Sequence, residues 1–499
     1  MPLRRRLNRP LETLIITLAL VKIALAALLS LAPQEAYYWA WTQYPSLSYF
    51  DHPPLNSYSI ALTTALFGDT VFGIKMAAVL WSLGSSVLIT RLVLDMFDDR
   101  HLAFWAVLAL NVSLMYAFSG LTSSPDAPLL FGWIGTVWAV WRVRQTGQSR
   151  WWWLAGCFLG LALLSKYVSV MLVGIVGLYL LLDPAMRRWT LRPQPYLAVL
   201  VSVAIFSPVI AWNMQHDWVS MSFQSTQRIG QMNGFKPEYF AFLLFTQTLI
   251  VTPYLIWLAL RAMWGSLREL TQLRIPSHSL LLMLSAAVPL FVFTLVSFRS
   301  EAKFHWLIPV WWSLLILGMN QAMGRSNPMR GIKIGLSTSG LMLIAAAATL
   351  LWPGLPPLGE LNTARVWRQA GLQVDALVNK ERQAGHQAFV FSPDHRVSSL
   401  IWFHRPSQHR SYAQDIMGMR ALQYDYFPPD GDLKGQSGIF VRPDKSEFQG
   451  EIPKITPYFE KIQLIAVVQT EPQGRRLELW LGSNYRGKPD TDVRLPKSP

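Results

Sequence analysis

The chain has 499 residues, of which 52% are hydrophobic and only 15% charged, a composition that excludes an ordinary soluble globular protein. A formal charge of +15 raises nucleic acid as a partner, so the placement of the charges has to be followed along the chain. The one cysteine, Cys157, sits in an apolar run, which excludes a disulfide framework and a cysteine metal site.

Arg4, Arg5, Arg6 and Arg9 precede an apolar stretch over 11–31. The start resembles a signal peptide, with Ser30-Leu31-Ala32 as a cleavage site, but the stretch is too long for a signal core and predicts an uncleaved helix. Ten further apolar stretches bring the expected membrane spans to eleven: 11–31, 71–94, 102–119, 128–142, 151–165, 168–182, 195–212, 239–262, 279–297, 305–320 and 332–351. Several are short, which implies tilt or partial burial. Residues 55–67 predict an amphipathic helix along the surface, or an extra half-span.

With the N-terminus in the cytoplasm, the inner connections collect arginines such as Arg100, Arg142, Arg144, Arg150, Arg187, Arg188, Arg261 and Arg268. The outer ones hold Lys166, Arg228, Lys236, Arg299 and Lys303. This asymmetry follows the positive-inside rule and explains most of the net charge without nucleic acid. An odd number of spans puts the C-terminal region outside. Pro353, Pro356 and Pro357 mark the junction, so 1–351 is expected as the transmembrane domain and 352–499 as a small periplasmic α/β domain. There, 360–384 has helical spacing, and 387–392, 437–442, 461–469 and 475–482 read as strands.

Unusual residues gather on the outer side. The first connection, Ala32–Pro54, carries Glu35, Asp51 and His52 among Tyr37, Tyr38, Trp39, Trp41, Tyr44, Tyr49 and Phe50. Rings of this kind settle where membrane meets water, which predicts an active-site floor at the bilayer surface. Later outer turns bring Asp126, then Lys166, then His216, Asp217 and Arg228, and finally Arg299, Glu301, Lys303 and His305. Each has a bland explanation. Glu35 after Pro33 suits the first turn of a helix, Asp51 and Asp126 suit N-caps, and Lys166 suits an interfacial anchor. Lys22 stands out within a span, either snorkelling or paired inside the bundle. The joint pattern of acids and cations on one face still predicts a site.

Such a set suits a sugar linked through phosphate to a long isoprenoid lipid. Lys166, Arg228, Arg299 or Lys303 would stabilise the leaving phosphate, while a carboxylate takes the proton of an attacking hydroxyl. A divalent metal between carboxylates and His would replace part of the cationic role. No Gly-rich phosphate loop occurs, so no nucleotide cofactor is expected.

The runs EAYYWAW, YFDHPPL, SPDAPL, LLSKY, SPVIAWNMQHDW and KFHWLIP resemble membrane-embedded glycosyltransferases of the GT-C type. The resemblance is to the bacterial branch related to protein O-mannosyltransferases, lipid A aminoarabinose transferases and galacturonosyltransferases of the lipopolysaccharide core. It covers essentially all spans and continues weakly into 417–428. It implies a polyprenyl-phosphate-sugar donor and an inverting single displacement on the periplasmic side of the bacterial inner membrane. The acceptor is then an envelope glycolipid or glycan. It makes Glu35, Asp51 and Asp126 the catalytic candidates and His52, Lys166, Arg228, Arg299, Lys303 and His305 the donor-phosphate ligands. Glu35 and Asp51 are then the possible metal ligands. The family's leading acid is replaced here by Gln34, so Glu35 or Asp51 has to act as base. Two other classes stay open. A lipid-sugar transporter or flippase would carry polar residues and broken helices near mid-membrane, and an inactive scaffold would fit Gln34.

Overall fold

A computed structural model describes residues 9–227, 230, 234–323, 328–351, 364–444, 446–469 and 476–488. Arg228 and the prolines of the junction lie outside the described residues.

The first part of the chain is a bundle of helices that follows the apolar stretches: Arg9–Leu28, Val71–Phe97, Asp126–Thr146, Arg150–Ser165, Gln194–Gln215, Ser277–Ser297, Ile308–Met323 and Pro328–Leu351. Helix Leu55–Phe67 forms where the amphipathic stretch predicts it. Among the described residues five helices are long and apolar enough to cross a membrane, six if one bent pair counts as a span, which makes this a multi-pass membrane protein. Four expected spans are not single helices, 305–320 among them, which opens with the 3-10 turn Phe304–Leu307 before helix Ile308–Met323. The stretch 102–119 divides into Arg100–Val112 and Leu114–Ser119 at Ser113, whose backbone is extended. The stretch 168–182 opens with a short 3-10 turn, Tyr167–Val170. The stretch 239–262 is two helices, Pro237–Val251 and Pro253–Thr271, bent by 109°. Pro253 has no N–H to continue the ladder, and Thr252 before it has φ 76°.

Close backbone approach holds the bundle together. A Cβ at Gly132 would come within 2.8 Å of the Ala162 amide nitrogen, and one at Gly156 would strike the Ala198 carbonyl. Glycine lets these helices touch, which is how packing is gained where lipid removes the hydrophobic drive. Lys22 is buried and donates to Ser82 Oγ, so it pairs inside the bundle.

The C-terminal region contains a mixed five-stranded sheet of β1 (Ala388–Phe391), β2 (Ser411–Tyr412), β3 (Ser437–Pro443), β4 (Lys461–Val468) and β5 (Leu477–Ser483). The order is β2-β1-β3-β5-β4. Strands β1, β2 and β3 are parallel, and β5 runs antiparallel to β3 and β4. Helix Ala364–Gln383 and helix His395–His404 pack with it. The four expected strands are all present. The two-residue β2 is too short to show any alternation.

Helix Pro33–Thr42, from the first connection, packs on His395–His404. Its rings are not at a lipid boundary. Tyr37, Trp39, Trp41, Tyr49 and Phe50 are at most 2% exposed, and they share one apolar cluster with Val366, Trp367, Leu400 and Trp402 (Phe50 excepted). Trp39 meets Trp402 and Phe403 edge-on at 5.7 and 5.0 Å, and Phe50 stacks on Tyr426 at 5.3 Å. The expected membrane-surface floor is therefore a core shared with the C-terminal region. An aromatic-rich loop reads the same in either setting, because amphipathic rings suit both a wet interface and a protein interior.

Candidate active site

Glu35 takes the bland role. Pro33 opens the helix, and Glu35 at its third position accepts from the Ala32 amide at 2.9 Å, completing the N-terminal turn as a carboxylate should. Its other partners are the Ser123 amide at 2.9 Å and the Lys75 ammonium at 2.6 Å. The carboxylate is fully buried and its oxygens face three N–H donors, so neither is aimed at a substrate. In this structure Glu35 therefore fills the capping place that its position after Pro33 allows. Lys75, in the first turns of Val71–Phe97, escaped the sequence reading because a lone lysine near a span end reads as snorkelling.

Asp51 is also buried, 7% exposed. Its carboxylate accepts from Tyr37 Oη, which lies 3.0 Å from both oxygens. Its backbone carbonyl accepts from Gln224 Nε2 at 2.5 Å. Helix Leu55–Phe67 starts after Pro54, so Asp51 is not its N-cap.

Asp126 opens helix Asp126–Thr146 and pairs with Lys166 at 2.7 Å. Lys166 stands between helix Arg150–Ser165 and the 3-10 turn that follows, with an extended backbone. Burial opposes ionisation of Asp126. The Lys166 ammonium, His305 and His52 outweigh it and hold the carboxyl below the usual range. Asp126 and Lys166 thus pair across two connections, and His52 and His305, from two others, both favour the Asp126 carboxylate. His216 does not present a free ring here: it stacks on Trp212 at 4.0 Å and bonds its carbonyl. Lys303 pairs with Glu301 at 3.3 Å in the open. The structure gives Arg299 backbone hydrogen bonding to Val296 and no contact with Asp126. Arg228 lies outside the described residues.

No three His, Cys, Asp or Glu side chains among the described residues gather as a cation cage. With the Glu35 oxygens taken by Ala32, Ser123 and Lys75, a metal bridging Glu35 and Asp51 does not fit.

The helical bundle brings this cluster together, and comparison with known proteins shows what the chain is similar to. Residues 51–212 match the family described as dolichyl-phosphate-mannose-protein mannosyltransferase. The lipid A galacturonosyltransferase RgtD of Rhizobium johnstonii is 24% identical over 81% of this chain and 84% of its own length. The undecaprenyl phosphate-alpha-4-amino-4-deoxy-L-arabinose arabinosyl transferase of Pseudomonas paraeruginosa is 28% identical over 34% of this chain and 32% of its own. Among solved structures, apo ArnT from Cupriavidus metallidurans superposes with TM-score 0.64, covering 94% of this chain and 97% of that one at 16% identity. The same protein bound to undecaprenyl phosphate gives 0.61. These likenesses bear out the recognition of a GT-C-type glycosyltransferase.

Proposed function

We propose that the chain moves a sugar from a polyprenyl-phosphate donor to a hydroxyl or phosphate of an envelope glycolipid or glycan, with inversion, on the periplasmic face. The observation that carries this reading is the ion pair of Asp126 and Lys166 at 2.7 Å, which joins two separate connections, with His52 and His305 acting on the same carboxylate. The relatives support it: one is named for lipid A, another for an undecaprenyl-phosphate sugar.

In this reading Asp51 is the base. It takes the proton of the acceptor as that oxygen attacks the anomeric carbon, and the bond from that carbon to the phosphate oxygen breaks on the opposite side. The departing polyprenyl phosphate gains negative charge, which Lys166 and its neighbours His52 and His305 stabilise. Asp126 holds the Lys166 ammonium in place. Lys303 and Arg299, on the more exposed outer connection, draw the phosphate in. No step uses a metal or a nucleotide.

The same reading has eleven crossings, with the N-terminus cytoplasmic, residues 1–351 catalytic and 352–499 periplasmic. Mass spectrometry of envelope glycolipids and glycans from a deletion strain tests it, because a missing sugar names donor and acceptor together. An unchanged profile in every glycolipid and glycan would remove the proposed transfer.

A further inference from the structure

Asp51 sits in a frame that the transmembrane helices do not supply. The Tyr37 hydroxyl has one proton to give. The Gln423 amide donates to its oxygen at 3.0 Å, which leaves that proton for the Asp51 carboxylate. The Gln423 side chain also reaches into the first connection, where its Oε1 accepts from the amide of Phe50 at 2.7 Å. Gln423 therefore grips the residue before Asp51 with its side chain and the tyrosine that bonds Asp51 with its backbone. From the other side Gln224 holds the Asp51 carbonyl.

Packing fixes the frame. Tyr37 and Gln423 are 0% and 3% exposed. The ring of Tyr37 stacks parallel to Tyr424 at 6.3 Å and meets His395 at 4.5 Å. Arg420 lies over both Phe50 and Phe223, at 5.0 and 4.7 Å. Burial, then the charge of Asp51, pushes the Tyr37 phenol well above its ordinary range, so it remains a donor at any physiological pH.

We propose that the segment Leu422–Tyr426 of the C-terminal region completes the active site, with Gln423 and Tyr37 as positioning residues that aim the Asp51 carboxylate. This rests on the reading of Asp51 as the base. It gives the C-terminal region a defined task, since the reactive carboxylate is oriented by a residue 372 positions further along the chain (423 − 51). A misplacement of about 1 Å at such a group costs on the order of a hundredfold in rate, so a single amide and a single hydroxyl are enough to matter.

The test uses full-length protein in native membrane vesicles, which supply their own donor and acceptor, together with purified protein and undecaprenyl phosphate as binding probe. Tyr37→Phe keeps the ring and removes the hydroxyl. Gln423→Leu keeps the bulk and removes the acceptor for Phe50. Each is expected to lower transfer about tenfold to a hundredfold, while affinity for undecaprenyl phosphate and the melting temperature stay near wild type. Asp51→Asn is measured alongside. If Asp51→Asn abolishes transfer but both positioning variants turn over like wild type, the inference is overturned and the proposed base stands. Full transfer by Asp51→Asn would overturn the base itself. Parallel loss of transfer, binding and melting temperature in both variants would reduce the two residues to structural ones and also end the proposal.

Discussion

The Glu35 carboxylate lies 2.6 Å from the Lys75 ammonium, with both side chains at most 2% exposed. The pair ties the helix of the first connection to the head of Val71–Phe97. Removing one partner strands a buried charge, at a cost of roughly 3–5 kcal/mol, whereas replacing both by neutral groups of similar size is often close to neutral. Glu35→Gln and Lys75→Met are each expected to melt well below wild type. The double variant should recover most of the loss, and it should regain transfer as well. A double variant that melts like wild type yet transfers nothing would return Glu35 to the chemistry.

Lys166 and Asp126 form a second pair, partly open to solvent at 15% and 9% side-chain exposure. Lys166→Ala is expected to lose affinity for undecaprenyl phosphate by at least about tenfold, the scale of one charge-assisted contact, with the fold intact. Calorimetry on purified protein reads this directly. Unchanged affinity would take Lys166 out of the site.

Two acids of the C-terminal region titrate unusually. Burial pushes Asp415 up to about 6, against Arg410 and the Ala413 amide, and pushes Asp425 up to about 6 as well. A carboxyl whose folded pKa is raised binds its proton more tightly when folded. Its stabilising contribution is therefore full below about 4 and is lost as pH rises through about 6. Asp415→Asn should keep the acceptor for Ala413 and flatten this part of the profile. The variant is expected to gain on the order of 1–3 kcal/mol relative to wild type between pH 5 and 7.5, read from melting temperatures across that window. A constant difference between the two proteins over the whole window would contradict it.

Trp39 is fully buried between the first connection and the C-terminal region, with its Nε1 donating to Asp69 at 2.9 Å. Trp39→Ala should cost about 3–5 kcal/mol and loosen the contact with helix His395–His404. Faster proteolysis within 388–444 would report it. Cleavage at the wild-type rate would mean the interface does not depend on this ring.

Much of the architecture was legible in the sequence, because apolar length and strand alternation are strong periodic signals. The helix breaks at Ser113 and Thr252 were not. Both stretches keep their apolar character through the break, so hydropathy runs on where the backbone turns. The site was legible in part. Asp126 and Lys166 pair, while Glu35 has the capping place that Pro33 advertised. Lys75, Tyr37 and Gln423 were missed for a common reason. Each acts through a partner 14 to 386 positions away, and no local pattern encodes such pairings. For Lys75, the signal was a cation near the head of a span opposite a buried acid in the preceding loop.

The central claim is that Asp51 is the base of a polyprenyl-phosphate sugar transfer, and Asp51→Asn in full-length protein tests it most directly. The substitution keeps size and an acceptor oxygen for Tyr37 while removing basicity. We expect transfer in native membrane vesicles to fall at least ~100-fold with melting temperature and undecaprenyl-phosphate binding retained. Transfer at the wild-type rate would contradict the account.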